Sequence, residues 1–392
     1  MMTKHKSVCG ILLATAVVIF LFACIDGVQK ASIQQTKNDW EEIGPGGGGA
    51  TFIPAFSYHN PAKFLIRCDM TGSYITDDGG QSYRQINFPN GASSFAFDPG
   101  DSSVIYIGSA FLNKSTDGGK TWTKVFPRES EIVSEKYFGD HGNYHIETTQ
   151  GSLYDSNIGE ITNIRVDPVS SMSLYFSMGK FFFYSNDNGI TWNKIECNSS
   201  IQFIYVNNEN LKNNVFIFTG DALSVFDKTT KSIVENKFPV ALQPAFSFTG
   251  GLTKNKQTVF YALHNDSDEN KSDEFGHSTV WISTDNGLQW REISDLFVNN
   301  SAVGIKPSYS MIACSEFNAE QAYLIANRYE QKKDAGMIYW YGAMKTKDAG
   351  KQWKWVWKGG GGSGQYGVKD GKGVTNLNDA WAEKAFGGEY IR

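Results

Sequence analysis

STDGGKTW, residues 115–122, packs a hydroxyl, an aspartate, two glycines and a tryptophan into eight positions. The pattern recurs as SNDNGITW (185–192), STDNGLQW (283–290) and TKDAGKQW (346–353), and more weakly as TDDGGQSY (76–83). Five copies of Ser/Thr-x-Asp-x-Gly-x-x-aromatic make this a repeat and not a chance match. Each box reads as a tight turn. The carboxylate accepts backbone N–H bonds across the bend, and the glycine takes a positive φ. The aromatic ring folds under the turn as the next strand begins. Asp78, Asp117, Asp187, Asp285 and Asp348 are therefore read as structural fasteners that need neither metal nor substrate.

Upstream of three boxes lies a second echo: YHNPAKFLIRCD, FDPGDSSVIYIGS and VDPVSSMSLYFSMG each set a proline before an apolar run. From Pro61, Pro99 and Pro168 to the box aspartates at 78, 117 and 187 the spacing is 17, 18 and 19 residues. Strand, proline turn, strand, box turn, strand is how a propeller blade is written. The box aspartates at 78, 117, 187, 285 and 348 leave gaps of 39, 70, 98 and 63 residues. The gap of 98 holds two blades, the boxless one being VFIFTGDALSVFDKTTKSIVE (215–235). The gap of 70 carries an insertion over about 127–160. The expectation is an all-β propeller of four-stranded blades spanning 45–357. Six blades are recognisable, and a seven-bladed ring is favoured on the usual range of 4–8. Residues 358–392 read as a loop-like tail, the possible start of a further domain, and 25–44 as a linker.

Composition agrees with this picture. The 392 residues are 41% apolar and 14% aromatic, with 40 glycines and a net charge of −5. The charge carries no nucleic-acid footprint, and no nucleic-acid partner is expected. Lys4, His5 and Lys6 precede the apolar run 11–22 and then Leu21-Phe22-Ala23-Cys24. Residues 1–24 read as an export signal with a lipobox, Cys24 being the lipidated residue; ordinary cleavage is the alternative. Either way the expected location is the cell envelope or outside, with membrane contact only through a lipid anchor. Cys68, Cys197 and Cys314 form no disulfide framework or zinc pattern, and neither cofactor nor metal is expected.

The stretch from Ile43 to Gly80 resembles the N-terminal opening of family-74 xyloglucanases. A glycine-rich start leads there through a proline-turn strand to an Asp-x-x-Gly-x-Tyr segment, which is Asp69, Gly72 and Tyr74 in this chain. NDAWAEKAFGGEYIR (378–392) resembles that family's approach to its second propeller. The resemblance implies a glycoside hydrolase in which Asp69 is the general base of an inverting reaction on a polysaccharide or oligosaccharide. It covers 42–84 well and little beyond the boxes. Asp69 is expected at the end of an inner strand, FLIRCD, with Gly72 letting a sugar approach the backbone. A loop-capping role for Asp69 in an ordinary first blade stands beside this.

Glycosidase chemistry needs a second carboxyl. In the family it comes from the second propeller. Within this chain Asp140, Glu147, Asp155, Asp379 and Glu383 are open candidates. The insertion segment YFGDHGNYHIE (137–147) offers His141 and His145 as substrate-binding residues of a loop. Trp355 and Trp357 are read as facing one side of a strand, either as a sugar-stacking platform or as interblade core. A non-catalytic glycan- or protein-binding propeller is the alternative function. A sialidase would need three gathered arginines, and nothing positions Arg67, Arg84, Arg165, Arg291 and Arg328 for that.

Overall fold

The computed structural model describes residues 51–69, 72–86, 91–137, 144–207, 214–266, 277–294, 307–333 and 336–360. The leader, the linker, His141, Asp140 and the tail beyond residue 360 lie outside them. The described residues form six four-stranded antiparallel meanders plus one two-stranded hairpin. Blade I is β1 (Thr51–Phe56), β2 (Phe64–Cys68), β3 (Gly72–Thr76) and β4 (Arg84–Ile86). Blade II is β5 (Ser94–Phe97), β6 (Ile105–Gly108), β7 (Leu112–Ser115) and β8 (Thr123–Phe126). The hairpin β9 (Ile132–Tyr137) and β10 (Tyr144–Thr148) follows. Blade III is β11 (Ile161–Asp167), β12 (Ser170–Met178), β13 (Phe181–Ser185) and β14 (Asn193–Glu196). Blade IV is β15 (Ile201–Val206), β16 (Asn214–Thr219), β17 (Ala222–Asp227) and β18 (Ile233–Lys237). Blade V is β19 (Ala245–Leu252), β20 (Thr258–Asp266), β21 (His277–Ser283) and β22 (Arg291–Glu292). Blade VI is β23 (Ser308–Ser315), β24 (Asn318–Lys333), β25 (Gly336–Thr346) and β26 (Lys354–Gly360).

The chain is thus an all-β, Asp-box β-propeller. The first strands β1, β5, β11, β15, β19 and β23 pack against one another in succession and line the axis. The described residues make the six blades legible in the sequence; the seventh favoured for ring closure is not among them. Blade IV is the boxless one. Its β17–β18 turn is held instead by Asp227, whose Oδ1 accepts from the backbone N–H groups of Thr229 and Thr230 at 2.7 and 2.8 Å.

The core is a set of seams between neighbouring blades. Seams I–II, II–III, III–IV, IV–V and V–VI each hold one cluster of buried apolar side chains. Seam II–III is typical: Phe126 meets Phe176, Phe183 and Trp192 at 5.2, 5.1 and 5.7 Å between ring centres. Rings of this size remove a large apolar area from water, and their offset geometry adds to it. Blade VI meets blade I through Tyr58, whose hydroxyl donates to Glu316 at 3.1 Å and whose ring stands edge-on to Phe317 at 6.0 Å.

The box turns follow one plan. The first hydroxyl (Thr76, Ser115, Ser185, Ser283 or Thr346) donates to the box carboxylate at 2.7–2.8 Å. The same oxygen accepts the N–H of the residue four positions on, at 2.8–3.0 Å. The carboxylate then accepts the N–H four residues beyond itself. Two consecutive residues per box have positive φ, from Gly79-Gly80 to Ala349-Gly350. The prolines 61, 99 and 168 stand in the turns joining first and second strands. The first–second hairpins of blades I, II, III and VI brace the boxes: Gly79 donates to Ala62 O, Gly118 to Ser103 O, Asn188 to Met172 O and Ala349 to Glu320 O.

Candidate functional site

An antiparallel meander sends alternate turns to opposite ends of the blade. One end of the propeller therefore carries the first–second turns and the boxes. The other carries the second–third turns and the connectors between blades. Gly220, in the second–third turn of blade IV, accepts through its carbonyl from the N–H of Ala245 at the start of β19, which joins these elements on one face. The box face is committed to fastening. Asp69 lies on the opposite face.

Asp69 directly follows β2 and is exposed. FLIRC is the second strand of blade I, not the innermost one. The axis-lining strand is TFIPAF, with a register shift between Phe52 and Ala55 and Ile53 at φ +46°. Asp69 thus stands one strand further from the axis than the sequence pattern implied. A proline and a bulge disguise β1, so the cleaner apolar run drew the inner assignment. The Cys68 thiol reaches Asp69 Oδ1 at 3.6 Å. Gly72, at φ +97°, opens β3 in a conformation that an L side chain rarely adopts. Tyr74 lies further along β3, its ring edge-on to the box residue Tyr83 at 6.3 Å, which is a packing role within blade I.

The insertion builds a second feature on the same face. Hairpin β9–β10 pairs Tyr144 with Tyr137, His145 with Lys136, Ile146 with Glu135 and Glu147 with Ser134. It leans on blade II, the Tyr144 ring packing edge-on to Phe111 at 5.1 Å. Between the hairpin, the second–third turn of blade II at Ala110 and the connector into β11 lies a cleft of about 740 Å³. Lys136, Tyr144, His145, Glu147, Tyr154, Ser156, Asn157, Gly159 and Glu160 line it. His145 Nδ1 is 3.0 Å from Ser156 Oγ, tying hairpin to connector. So the segment read from sequence as a loop is a hairpin, and His145 faces a cleft. Tyr154, Ser156, Asn157 and Glu160 carry no motif; the local signal is the turn-rich string SLYDSN at 152–157.

The candidate second carboxyls are mostly occupied. Glu147 accepts from Ser134 Oγ at 2.6 Å and pairs with Lys136 at 3.3 Å, and these bonds hold it below the usual carboxylate range. Asp155 caps its own turn through Asn157 N–H at 2.9 Å. Asp221, also on this face, takes bonds from Lys237, Ser199 and Thr219 and is lowered to about 2. A carboxyl held low is ionised near neutral pH and cannot lend a proton to a leaving oxygen. Asp379 and Glu383 lie outside the described residues.

Trp355 and Trp357 sit on β26, the outermost strand of blade VI. The register shifts between their partners, Trp357 pairing with Ala343 and Trp355 with Met344, so strict alternation does not run through this strand. Cys68 and Cys197 are buried thiols and Cys314 is partly buried, none of them disulfide-bonded. Among the described residues, no three His, Cys, Asp or Glu side chains gather as a metal site, and no helix is long and apolar enough to cross a membrane.

The family described as BNR/Asp-box repeat matches residues 183–194, the blade III box. The chain is 24% identical over 314 residues to xyloglucanase Xgh74A of Acetivibrio thermocellus, covering 73% of this chain and 30% of that one. A xyloglucanase of a Paenibacillus species is 25% identical over 207 residues, 47% of this chain and 18% of that one. The chain therefore spans less than a third of these curated relatives. Among solved structures, an ancestral GH74 enzyme superposes with TM-score 0.53 at 17% identity, over 83% of this chain and 40% of that one. The GH74 enzyme of Niastella koreensis gives 0.52 at 16% identity, over 80% and 46%. The structural likenesses agree on the propeller fold, and the curated relatives that share sequence with it are xyloglucanases.

Proposed function

We propose that this propeller forms part of an inverting polysaccharide hydrolase acting on a xyloglucan or related β-glucan, with Asp69 as the base that activates water. The supporting observation is the exposed Asp69 beside positive-φ Gly72 at the mouth opposite the boxes, in a chain similar to xyloglucanases. An inverting pair needs its two carboxyls roughly 6.5–9.5 Å apart, so that water fits between base and sugar. The occupied state of Glu147 and Asp221 points to an acid contributed from outside the described residues. Reducing-sugar release from xyloglucan tests the reading. Asp69→Asn is expected to lower kcat by about a hundredfold or more with the fold intact. Unchanged turnover in that variant sinks the assignment.

The same occupancy favours one second reading, a non-catalytic module that binds glycan through this face. It expects no turnover at any pH, with affinity for the polymer retained in Asp69→Asn. We further propose export and lipid anchoring at Cys24, supported by the basic start and the apolar run 11–22. Fatty-acid labelling in a bacterial host should disappear in Cys24→Ser; persistent labelling rejects the anchor.

A further inference from the structure

The cleft beside hairpin β9–β10 plays no part in the chemistry assigned to Asp69, yet it is built like a binding site. Its 740 Å³ falls within the range of small-ligand pockets. The half-buried Tyr144 supplies aromatic surface, while His145, Ser156 and Asn157 supply hydrogen-bonding groups. Apolar patches interleaved with uncharged hydrogen-bonding groups match a pyranose, which has C–H faces and a rim of hydroxyls.

The walls are held before any ligand arrives. Ser156 Oγ fixes the His145 ring at Nδ1, and among the described residues Nε2 keeps no partner. The exposed Asn157 is likewise held, its Nδ2 donating to Asp155 at 2.9 Å. A side chain fixed by a neighbour loses little entropy on binding.

The charges select the ligand. Lys136 is matched by Glu147 at 3.3 Å, so the cleft has no cation left to demand an anion. Glu160, which also lines the cleft, is acidic and adds no positive charge. The cleft also shares its face with Asp69 but belongs to blades II and III, not blade I. It would hold a stretch of polymer away from the reacting bond, where binding energy supports orientation and not bond cleavage.

We infer that this cleft is a remote subsite for a neutral polysaccharide chain, an inference that rests on the polysaccharide reading above. Affinity electrophoresis in native gels containing xyloglucan, or polygalacturonate as an acidic control, tests it on the whole protein. Wild type is expected to be retarded by xyloglucan and not by polygalacturonate. His145→Ala/Asn157→Ala is expected to bind xyloglucan about tenfold more weakly, the loss of two hydrogen bonds, with a cooperative melting transition retained. Wild-type-like retardation of the double variant, or retardation by polygalacturonate through the cleft, overturns the subsite and leaves the polysaccharide reading standing. Absence of retardation of wild type by either polymer overturns that reading and the subsite together.

Discussion

Within each box the demanding positions are the two residues with positive φ. At the first of them the chain uses Gly79, Gly118, Asn188, Asn286 and Ala349. Glycine and asparagine suit this region; alanine does not, since its Cβ crowds the following carbonyl. Ala349, at φ +57°, is the strained member. Ala349→Gly is expected to raise stability by about 0.5 kcal/mol, the relief exceeding the added freedom of the unfolded chain. Gly287, at the second position of its box, is the opposite case. A Cβ there would lie 2.1 Å from Leu223 Cδ2, across seam IV–V. Gly287→Ala should cost about 1–3 kcal/mol through strain and overpacking. Urea denaturation of both variants checks the two signs together. The glycine of the motif was legible from sequence; that its predecessor shares the left-handed region was not, because Asn and Ala there disguise it.

As an element, the box turn is a carboxylate holding several donors. Those donors lower its pKa: Asp78 falls to about 2 through Ser82 and Thr76, and Asp117 falls further through Thr121 and Ser115. A carboxylate depressed in the folded state contributes stability above its unfolded pKa, and the contribution is lost as pH falls through the folded value. The window thus opens near 3.8 and closes around 2 for Asp78. Melting temperature should fall steeply on acidification through that range, and Asp78→Asn should flatten the fall while lowering the plateau near neutral pH. A slope unchanged by the substitution would mean that the turn does not depend on the ionised carboxylate. These bonds are local in sequence, all within a few residues of the aspartate, which is why a linear motif announces them. The hairpin β9–β10 has no such signature. Gly and Asn around residue 142 suggest only a loop, and strand pairing appears once blade II offers Phe111 for Tyr144 to pack against.

At the scale of the molecule, the described residues form a chain of apolar seams with one polar-aromatic clasp. Among the described residues, five seams hold buried clusters, whereas blades VI and I meet through Tyr58, Glu316 and Phe317. Stability of a ring built from repeats depends on nearest-neighbour contacts, and the least apolar junction opens first. Tyr58→Ala/Phe317→Ala should speed hydrogen exchange in β1 and β23 well before β11 or β15, with little change around Asp221 on the face opposite the boxes. Uniform acceleration across all blades would show that the clasp does not define a separate opening unit.

By itself the sequence determined the repeat, the fold class, the six blades and the fastening role of the five box aspartates. All of these rest on interactions between near neighbours, so spacing and residue type carry them. It also marked Asp69 and Gly72, through a short contiguous motif. Only the tertiary structure decided that Asp69 stands one strand out from the axis, that the insertion is a hairpin, and that His145 meets Ser156 across a cleft. It likewise decided that Glu147 is already engaged by Ser134 and Lys136. Those facts depend on which blade faces which and on the pairing of segments far apart in the chain. No local pattern encodes them; the packing of one blade on the next does.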